Sequence, residues 1–178
     1  SWDTTLTYGL FTRLEKRDPA IVGLGAGGKA FSVNGDDGNL NYDTGIASNA
    51  FKATTELEVS YKGFGAFVRA YGFYDTENED GSRARTPLSE DALERVGSRG
   101  EFRDAFVWGK FDGGPVPVEI RAGWQVINWG ESTFIQGGIN AVNPVDVSVL
   151  RVPGGELRDA LLPVGAVKFS IKPSANTS

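Results

Sequence analysis

The first place in this sequence where chemistry could be done is a run of alternating oxygen-bearing side chains, formed by Asp37, Asn39, Asn41 and Asp43. Calcium loops present their oxygen ligands with this spacing. An EF-hand loop also needs a glycine at its sixth position and a glutamate at its twelfth, where this chain has Tyr42 and Ser48. Two interpretations stay open, a calcium site and a turn-rich polar loop with Asx turns at Asn34 and Asp36.

A second candidate is the motif INWGESTFIQGG, in which Glu131 precedes Ser132. The motif has no lysine or histidine that could activate the serine, and the whole chain has no histidine and no cysteine. Catalytic triads, Cys/His dyads and HExxH zinc sites are therefore impossible. A glycosidase-like pair of carboxylates needs neither residue and stays open. We predict a protein that is not an enzyme and needs no cofactor, with a tight bend at Gly130.

Charge and hydropathy narrow the class further. The formal net charge is −5, whereas an electrostatic grip on nucleic acid needs a basic patch, so we predict no nucleic-acid partner. No run of 18 apolar residues occurs, which predicts no transmembrane helix. The chain begins directly in a strand-like pattern, as a secreted protein would after removal of its signal peptide.

The elements that must position any functional side chain are strands. Polar and apolar residues alternate with a period of two in six segments: residues 2–16, 49–61, 64–76, 102–112, 118–128 and 164–172. A two-residue hairpin turn is expected at Lys62 and Gly63. Long connections (17–48, 77–101 and 129–163) alternate with short ones (62–63 and 113–117), which puts all the long loops at one end of the sheet.

Alternation alone fits either a soluble β-sandwich or a membrane barrel. Two features favour the barrel. The ten steps from Phe51 to Tyr61, at ~3.3 Å each and a tilt of ~40°, project to ~25 Å, the height of the apolar band of an outer-membrane barrel. Aromatic residues also gather towards both ends of the apolar face, like the two aromatic girdles of such barrels. The sequence thus predicts an all-β, antiparallel transmembrane barrel with long outer loops.

In a barrel the charged face of each strand lines the lumen. The lumen-facing candidates are Lys52, Glu56, Glu58, Arg69, Asp75, Glu119 and Arg121. Such charges either select a solute or pair across strands and stiffen the wall.

The stretch from Trp129 to Pro163 is too apolar for a loop in water, and irregular backbone is excluded from lipid, so we expect it to enter the barrel as a constriction. Two short helical turns are predicted there, one capped by Asn143 and one beginning near Gly155, packing on Phe106 and Trp108. The candidate residues of this constriction loop are Asn143, Pro144, Asp146, Arg151, Glu156 and Arg158.

Several motifs together resemble the N-terminal portion of a proteobacterial outer-membrane β-barrel family grouped as a domain of unknown function. They are SWDTTLTYGL, SVNGDDGNLNYD, GAFVRAYGFYD, VINWGESTFIQGGINAVNPVDVS and LRVPGGELRDALLPV. The resemblance covers essentially the whole chain, and family members are longer, which implies that residues 1–178 are the N-terminal part of one larger barrel. Six strands are also fewer than the ~8 of the smallest single-chain barrels.

The resemblance further implies a place in the outer membrane of a Gram-negative bacterium, in contact with lipid and lipopolysaccharide. Family members are often encoded beside inner-membrane exporters of the resistance-nodulation-division type and a periplasmic protein. The implied function is a channel or export conduit for small amphiphilic or hydrophobic compounds. Two alternatives remain, a soluble secreted β-sandwich that binds carbohydrate and a membrane-barrel hydrolase.

Overall fold

The computed structural model describes the chain except for residues 34, 36, 115, 130–141 and 172–178. Six antiparallel strands form one sheet in the order in which they occur along the chain. They are β1 (Trp2–Arg13), β2 (Gly45–Tyr61), β3 (Phe64–Asp75), β4 (Ser98–Phe111), β5 (Val118–Gln125) and β6 (Val164–Ile171). The six predicted strands and their antiparallel, neighbour-to-neighbour pairing are confirmed.

The hairpin between β2 and β3 turns at Lys62 and Gly63, as predicted. Both residues have positive φ angles, 47° and 84°, which matches the type I′ turn favoured in two-residue hairpins. Tyr61 and Phe64 lie directly opposite each other on either side of this turn. The register of the two strands follows from this turn, and it puts their apolar residues on one face.

That apolar face is exposed. Trp2, for example, leaves 77% of its surface accessible, and large apolar side chains are exposed on every strand. The exposed set on this face includes Leu6, Tyr8, Phe51, Leu57, Val59, Tyr61, Phe64, Phe102, Val107, Phe111, Trp124, Val167, Phe169 and Ile171. The opposite face, here called the inner face, instead buries charged residues such as Lys52 and Arg69. The sheet therefore has the reverse of the polarity of a soluble fold.

Strand β4 begins at Ser98, four residues before its predicted start, because a bulge interrupts its alternation. Val68 pairs with Ala105 and Ala70 pairs with Phe102, so two residues of β4 lie opposite Arg69 alone. The extra residue restores Phe102 to the apolar face, where it is 76% exposed. If alternation is counted backwards from Ala105 without the bulge, Arg103 and every residue before it are assigned to the wrong face. The predicted strand therefore omits its first four residues, 98–101.

Short helices occur only in the long connections of the described chain: α1 (Asp37–Leu40), α2 (Thr76–Glu79), α3 (Glu90–Val96), α4 (Leu157–Ala160) and two 3₁₀ turns (Leu24–Ala26 and Val149–Arg151). The Ser89 side chain caps α3 by accepting a hydrogen bond from the Ala92 N–H. None of the helices in the described ranges is long and apolar enough to cross a membrane.

The third long connection folds back over the inner face, and we call residues 142–163 the covering segment. The predicted helical turn beginning at Asn143 is wrong: the first helical turn begins at Val149, and the Asn143 amide instead bonds both the N–H and the C=O of Ile127. The second turn, α4, begins two residues after Gly155, in agreement with the prediction. Its Glu156 and Asp159 form a reciprocal capping box.

Gly123 should be the glycine that the sheet tolerates least in substitution. Its φ is +136°, and a Cβ there would lie 2.4 Å from the Ala105 carbonyl oxygen. Gly123→Ala is therefore expected to lower the free energy of unfolding by about 2 kcal/mol or more.

Gly100→Ala is the matched control, because a Cβ at this β4 glycine meets nothing within 4 Å. We expect its effect to stay within about 0.5 kcal/mol in equilibrium chemical unfolding of the full-length protein. Equal losses for the two variants would contradict the strand geometry at Gly123.

Candidate functional site

The centre of the inner face is a buried ion pair between a strand and the covering segment. The Lys52 side chain extends from β2, and its Nζ lies 2.9 Å from Asp159 Oδ2 and 2.6 Å from the Gly154 carbonyl oxygen. Lys52 is only 3% exposed and Asp159 only 2%. Burying either charge alone would be strongly unfavourable, so the pair holds the covering segment at one place on the sheet.

A second ion pair extends this contact towards the turn end of β2. Arg158 Nη1 lies 3.2 Å from Glu56 Oε1, and the Arg158 side chain also approaches Glu156 at 3.2 Å. The Arg158 side chain is 48% exposed and that of Glu56 is 29% exposed, and an ion pair with this much access to solvent contributes about 0 to 1 kcal/mol. The exposed pair therefore adds little to the position that Lys52 already determines.

Apolar packing beneath the ion pairs also fixes the covering segment. Val149 and Val152 form one buried cluster with Ala50, Tyr71 and Phe73 of the inner face. This buried cluster lies nearer the long-loop end of the sheet than Phe106 and Trp108, the aromatic residues on which the segment is predicted to pack.

Close backbone approach completes the fit of the covering segment. A Cβ on Gly9 would lie 2.3 Å from Pro153 Cβ, and one on Gly154 would lie 2.5 Å from Thr7 Cγ2. The small residues on both sides therefore allow the segment to lie directly on β1.

The predicted constriction residues separate into two groups. Asn143, Asp146, Glu156 and Arg158 make side-chain contacts that hold the segment. Pro144 and Arg151 are exposed, although the Pro144 carbonyl accepts a hydrogen bond from the Leu162 N–H at 2.8 Å. The segment is thus anchored mainly by its acidic and amide side chains.

A cluster of arginines and carboxylates occupies the inner face where β4 bulges. Arg69 lies 3.0 Å from Asp104, and Glu101 pairs with both Arg103 at 2.6 Å and Arg99 at 3.0 Å. Arg99 continues the network to Asp146 in the covering segment, 2.5 Å away. Of these residues only Arg69 and Asp146 were named as site candidates. The alternation of Arg99, Glu101 and Arg103 was the available signal, but Arg99 and Glu101 lay before the predicted start of the strand at residue 102.

Asp75 has a structural role rather than a place on an open surface. Its carboxylate accepts hydrogen bonds from the backbone N–H groups of Asn49, Glu77 and Asn78 and from the Ser48 hydroxyl. It is 1% exposed and caps α2. Asp75 thereby joins the ends of β2 and β3 to the loop that follows them.

The remaining candidates lie towards the turn end of the inner face. Arg121 pairs with Glu119 at 3.2 Å, and its guanidinium lies 4.7 Å from the centre of the Phe106 ring. Phe106 stacks on Phe67 with 5.2 Å between ring centres. Together with Glu58, these residues border a small cavity of about 180 Å³. At this end of the inner face, charged side chains alternate with aromatic rings. At the centre of the inner face, the charged side chains form ion pairs with one another.

The oxygens proposed for calcium have other partners. Asn39 Oδ1 accepts a hydrogen bond from Arg13 at 2.8 Å, and Asp43 Oδ1 accepts one from Arg17 at 2.7 Å. Asn41 Oδ1 accepts from the backbone of residues 85 and 86, while the Asp37 side chain lies outside the described part of the chain. Among the described residues no group of three acidic side chains could hold a metal ion. The run begins in α1 and continues into the loop that follows, and its described side-chain oxygens accept hydrogen bonds from arginines and from backbone N–H groups.

Two further candidates cannot be placed. Glu131 and Ser132, which suggested a hydrolase, lie outside the described residues, as does the bend predicted at Gly130.

These features define a class of chain: an antiparallel six-stranded meander with an exposed apolar face and a charged face crossed by a segment of its own. The family described as "Protein of unknown function (DUF1302)" matches residues 1–178, and the chain belongs to that family. Neither the curated proteins nor the solved structures include a significant match.

Asp146 gives the covering segment a measurable dependence on pH. Burial would raise the pKa of this carboxyl, but hydrogen bonds from Ser148 and Arg99 outweigh it and lower the pKa to about 2. Because an unfolded aspartate titrates near pH 4, the stabilisation is complete above about pH 4 and is lost as the pH falls towards 2.

Asp146→Asn should therefore flatten the acid side of the stability profile between about pH 4 and pH 2. The measurement is the free energy of unfolding against pH for both proteins. Asp43→Asn is a suitable control, because the Asp43 side chain is exposed and its pair with Arg17 lies away from the covering segment. A profile of the Asp146 variant that parallels the parent would contradict the assignment.

Proposed function

We propose that this chain is the N-terminal part of an outer-membrane β-barrel that forms a channel or export conduit in a Gram-negative bacterium. The observation that carries the proposal is the inverted polarity of the sheet, which has apolar side chains exposed on all six strands and charged side chains buried on the other face. Water is a poor environment for such a face, because soluble monomers rarely expose apolar patches above a few hundred Å². Hydrocarbon chains of lipid suit it.

The positions of the aromatic residues support a tilted sheet in a slab of lipid. At the long-loop end the aromatic residues of the apolar face are Tyr8, Phe51, Tyr74, Phe102 and Trp124. Tyr74 lies opposite Phe51, but Trp124 lies opposite Ala105, the partner of Val68. From Tyr8 on β1, which lies opposite Phe51, to Trp124 on β5, the level of the aromatic residues thus shifts by about six residues, or ~20 Å, across four strand spacings of ~4.8 Å.

This shift corresponds to an inclination of about 45°, close to the strand tilt of about 35 to 45° in outer-membrane barrels. The row of aromatic residues at the turn end of the strands is inclined in the same direction. Trp2 lies opposite Leu57, whereas on β2 itself the aromatic position is Tyr61, nearer the turn. On β4 it is Phe111, two residues beyond the partner of Phe64. Two parallel aromatic rows are the arrangement expected if both ends of the band meet lipid headgroups.

Closure into a barrel needs more strands. Within the described residues β1 and β6 each pair on one side only, and exposed strand edges are excluded from the hydrocarbon region because their N–H and C=O groups would lack partners. The barrel that we propose is therefore completed by further strands of a longer protein. A two-sheet sandwich would instead cover the apolar face with a second sheet, and the described residues form one sheet.

The proposed mechanism is passive passage along a polar interior that the covering segment narrows. Its cargo, small amphiphilic or hydrophobic compounds, follows from the family resemblance, as do lipid and lipopolysaccharide as surroundings and a periplasmic protein with an inner-membrane exporter as partners. The covering segment supports the idea of a constriction, because it lies across the inner face and is fixed there by the pair of Lys52 and Asp159.

The lipid-facing assignment predicts opposite sensitivities for two neighbouring residues. Leu57 is on the exposed apolar face and Glu58 is on the inner face. Leu57→Arg should lower the free energy of unfolding in liposomes by about 2 to 4 kcal/mol if the residue lies near the middle of the bilayer. Glu58→Gln should change it by less than about 1 kcal/mol. Equal losses would refute the assignment of faces.

The constriction predicts that releasing the covering segment opens the path. Asp159→Asn removes the carboxylate that lies 2.9 Å from the buried Lys52 ammonium and leaves only that of Glu156, at 3.8 Å. Breaking a buried ion pair costs about 3 to 5 kcal/mol, which should detach the segment from the sheet. We expect a higher single-channel conductance of the full-length protein in planar bilayers.

Arg158→Gln is the matched control for this recording. It removes an ion pair of the same segment, but an exposed one, so conductance should stay at the parent value. A folded Asp159→Asn protein with the parent's conductance would mean that the segment does not limit flow.

A further inference from the structure

A cavity of about 820 Å³ lies at the long-loop end of the inner face, between the first two strands and the covering segment. Its size is within the range of about 300 to 1,000 Å³ typical of sites for small organic ligands. The wall includes residues from β1, the covering segment and α3, so three separate parts of the chain meet around it. Nothing in the proposed conduit mechanism requires a cavity there.

The wall of this cavity exposes apolar side chains on the face that is otherwise charged. Phe11 pairs with Ser48, whose side chain is on the inner face, yet Phe11 leaves 62% of its surface accessible. Leu150 of the covering segment also lines the cavity and is 45% exposed. Apolar surface that faces an aqueous interior is unfavourable unless something apolar covers it.

Most polar groups of the cavity already have partners within the protein. The Asp75 carboxylate is surrounded by hydrogen-bond donors, and the Tyr42 hydroxyl donates to Asn78 Oδ1 at 2.7 Å. Burial also raises the pKa of Tyr42, although the nearby Arg83 opposes this, so the phenol stays neutral. The Arg13 guanidinium donates to oxygens of Asn39 and to the Tyr42 carbonyl. None of these groups is available to bind a charged ligand.

Arg151 is different. It belongs to the 3₁₀ turn next to Leu150, it lines the cavity, and it makes no ion pair with any described residue. A guanidinium beside apolar surface can bind a carboxylate, sulfate or phosphate group through two parallel N–H bonds. Among the described residues that line the cavity, the one charge that is not already bound within the protein is therefore positive.

We propose that this cavity binds a small anionic amphiphile, with the apolar body against Phe11 and Leu150 and the acidic group on Arg151. The proposal rests on the proposed function for its location at the mouth of the conduit, where the cavity would take up cargo on one side of the constriction. It narrows the cargo class to molecules that carry a negative charge at one end. Neutral and cationic amphiphiles of the same length would bind less tightly, because neither could pair with the guanidinium.

The test uses decanoic acid carrying a diazirine near its methyl end, added to the full-length protein in lipid nanodiscs. After irradiation, mass spectrometry locates the labelled peptides. We expect labelling of the peptides that contain Phe11 and Leu150, displaced by excess decanoate but not by decyltrimethylammonium. Arg151→Gln should raise the decanoate concentration needed for displacement about tenfold, since one charge-assisted hydrogen-bonded contact is lost.

Two variants complete the design. Arg95→Gln removes an exposed arginine of α3 that does not line the cavity, and it should leave displacement unchanged. Leu150→Ser removes apolar wall while keeping the guanidinium, and it should weaken labelling of both peptides. Any of three results overturns the inference: no labelling at Phe11 and Leu150, equal displacement by the cation, or an unchanged Arg151→Gln protein. The first result would also be obtained if another part of the chain fills the cavity.

Failure of this inference is distinguishable from failure of the proposed function. Probe dissolved in the bilayer should label peptides of the exposed apolar face, such as the one containing Leu57, in every variant. Labelling of that face without labelling of the cavity would reject the amphiphile site and leave the barrel proposal intact. Absence of labelling on that face would reject the barrel itself.

Discussion

The structure depends on how the buried ammonium of Lys52 is compensated. An uncompensated charge at this depth would cost several kcal/mol, so the covering segment must bring Asp159 and the Gly154 carbonyl to within hydrogen-bond distance of Nζ. This requirement fixes the segment in depth and in direction along β2. The capping box of α4 follows from it, because the same Asp159 carboxylate that pairs with Lys52 also accepts a hydrogen bond from the Glu156 N–H at 3.2 Å. The Asp159 carboxylate thus helps to cap α4 and neutralises the ammonium group of Lys52.

The bulge in β4 likewise allows charged side chains of β3 and β4 to pair on the inner face. A regular strand would place one of Arg103 and Asp104 on the apolar face, which in the proposed barrel would bring a charge into contact with hydrocarbon at a high cost. The bulge turns both inward, so Asp104 pairs with Arg69 while also accepting the Val126 N–H at 2.9 Å. Phe102 then returns to the apolar face. The bulge therefore allows β4 to keep its apolar and charged residues on opposite faces along its whole length.

The sequence predicted the structure well wherever the face on which one strand residue lies determines the face of the next residue. The alternation from Phe51 to Tyr61 predicted β2, its register with β3 and the side of every residue between them, because a strand has only two faces. It failed where contacts are made between residues distant in the chain. Nothing local to Asn143 indicates that its amide bonds Ile127 instead of capping a helix, since either partner satisfies the same groups. The arginine cluster was not predicted for a related reason, because the position of a β-bulge depends on the residues of the neighbouring strand.

The ion pairs of the inner face affect how the proposed conduit could discriminate between solutes. At the centre of the inner face each charge already has a partner: Lys52 with Asp159, Arg69 with Asp104 and Arg103 with Glu101. A paired charge offers a passing solute little net attraction, and separating it would cost more than the new contact returns. Selectivity in the proposed conduit must then come from shape at the covering segment and from the few charges without partners. The paired wall provides a rigid polar surface against which those features act.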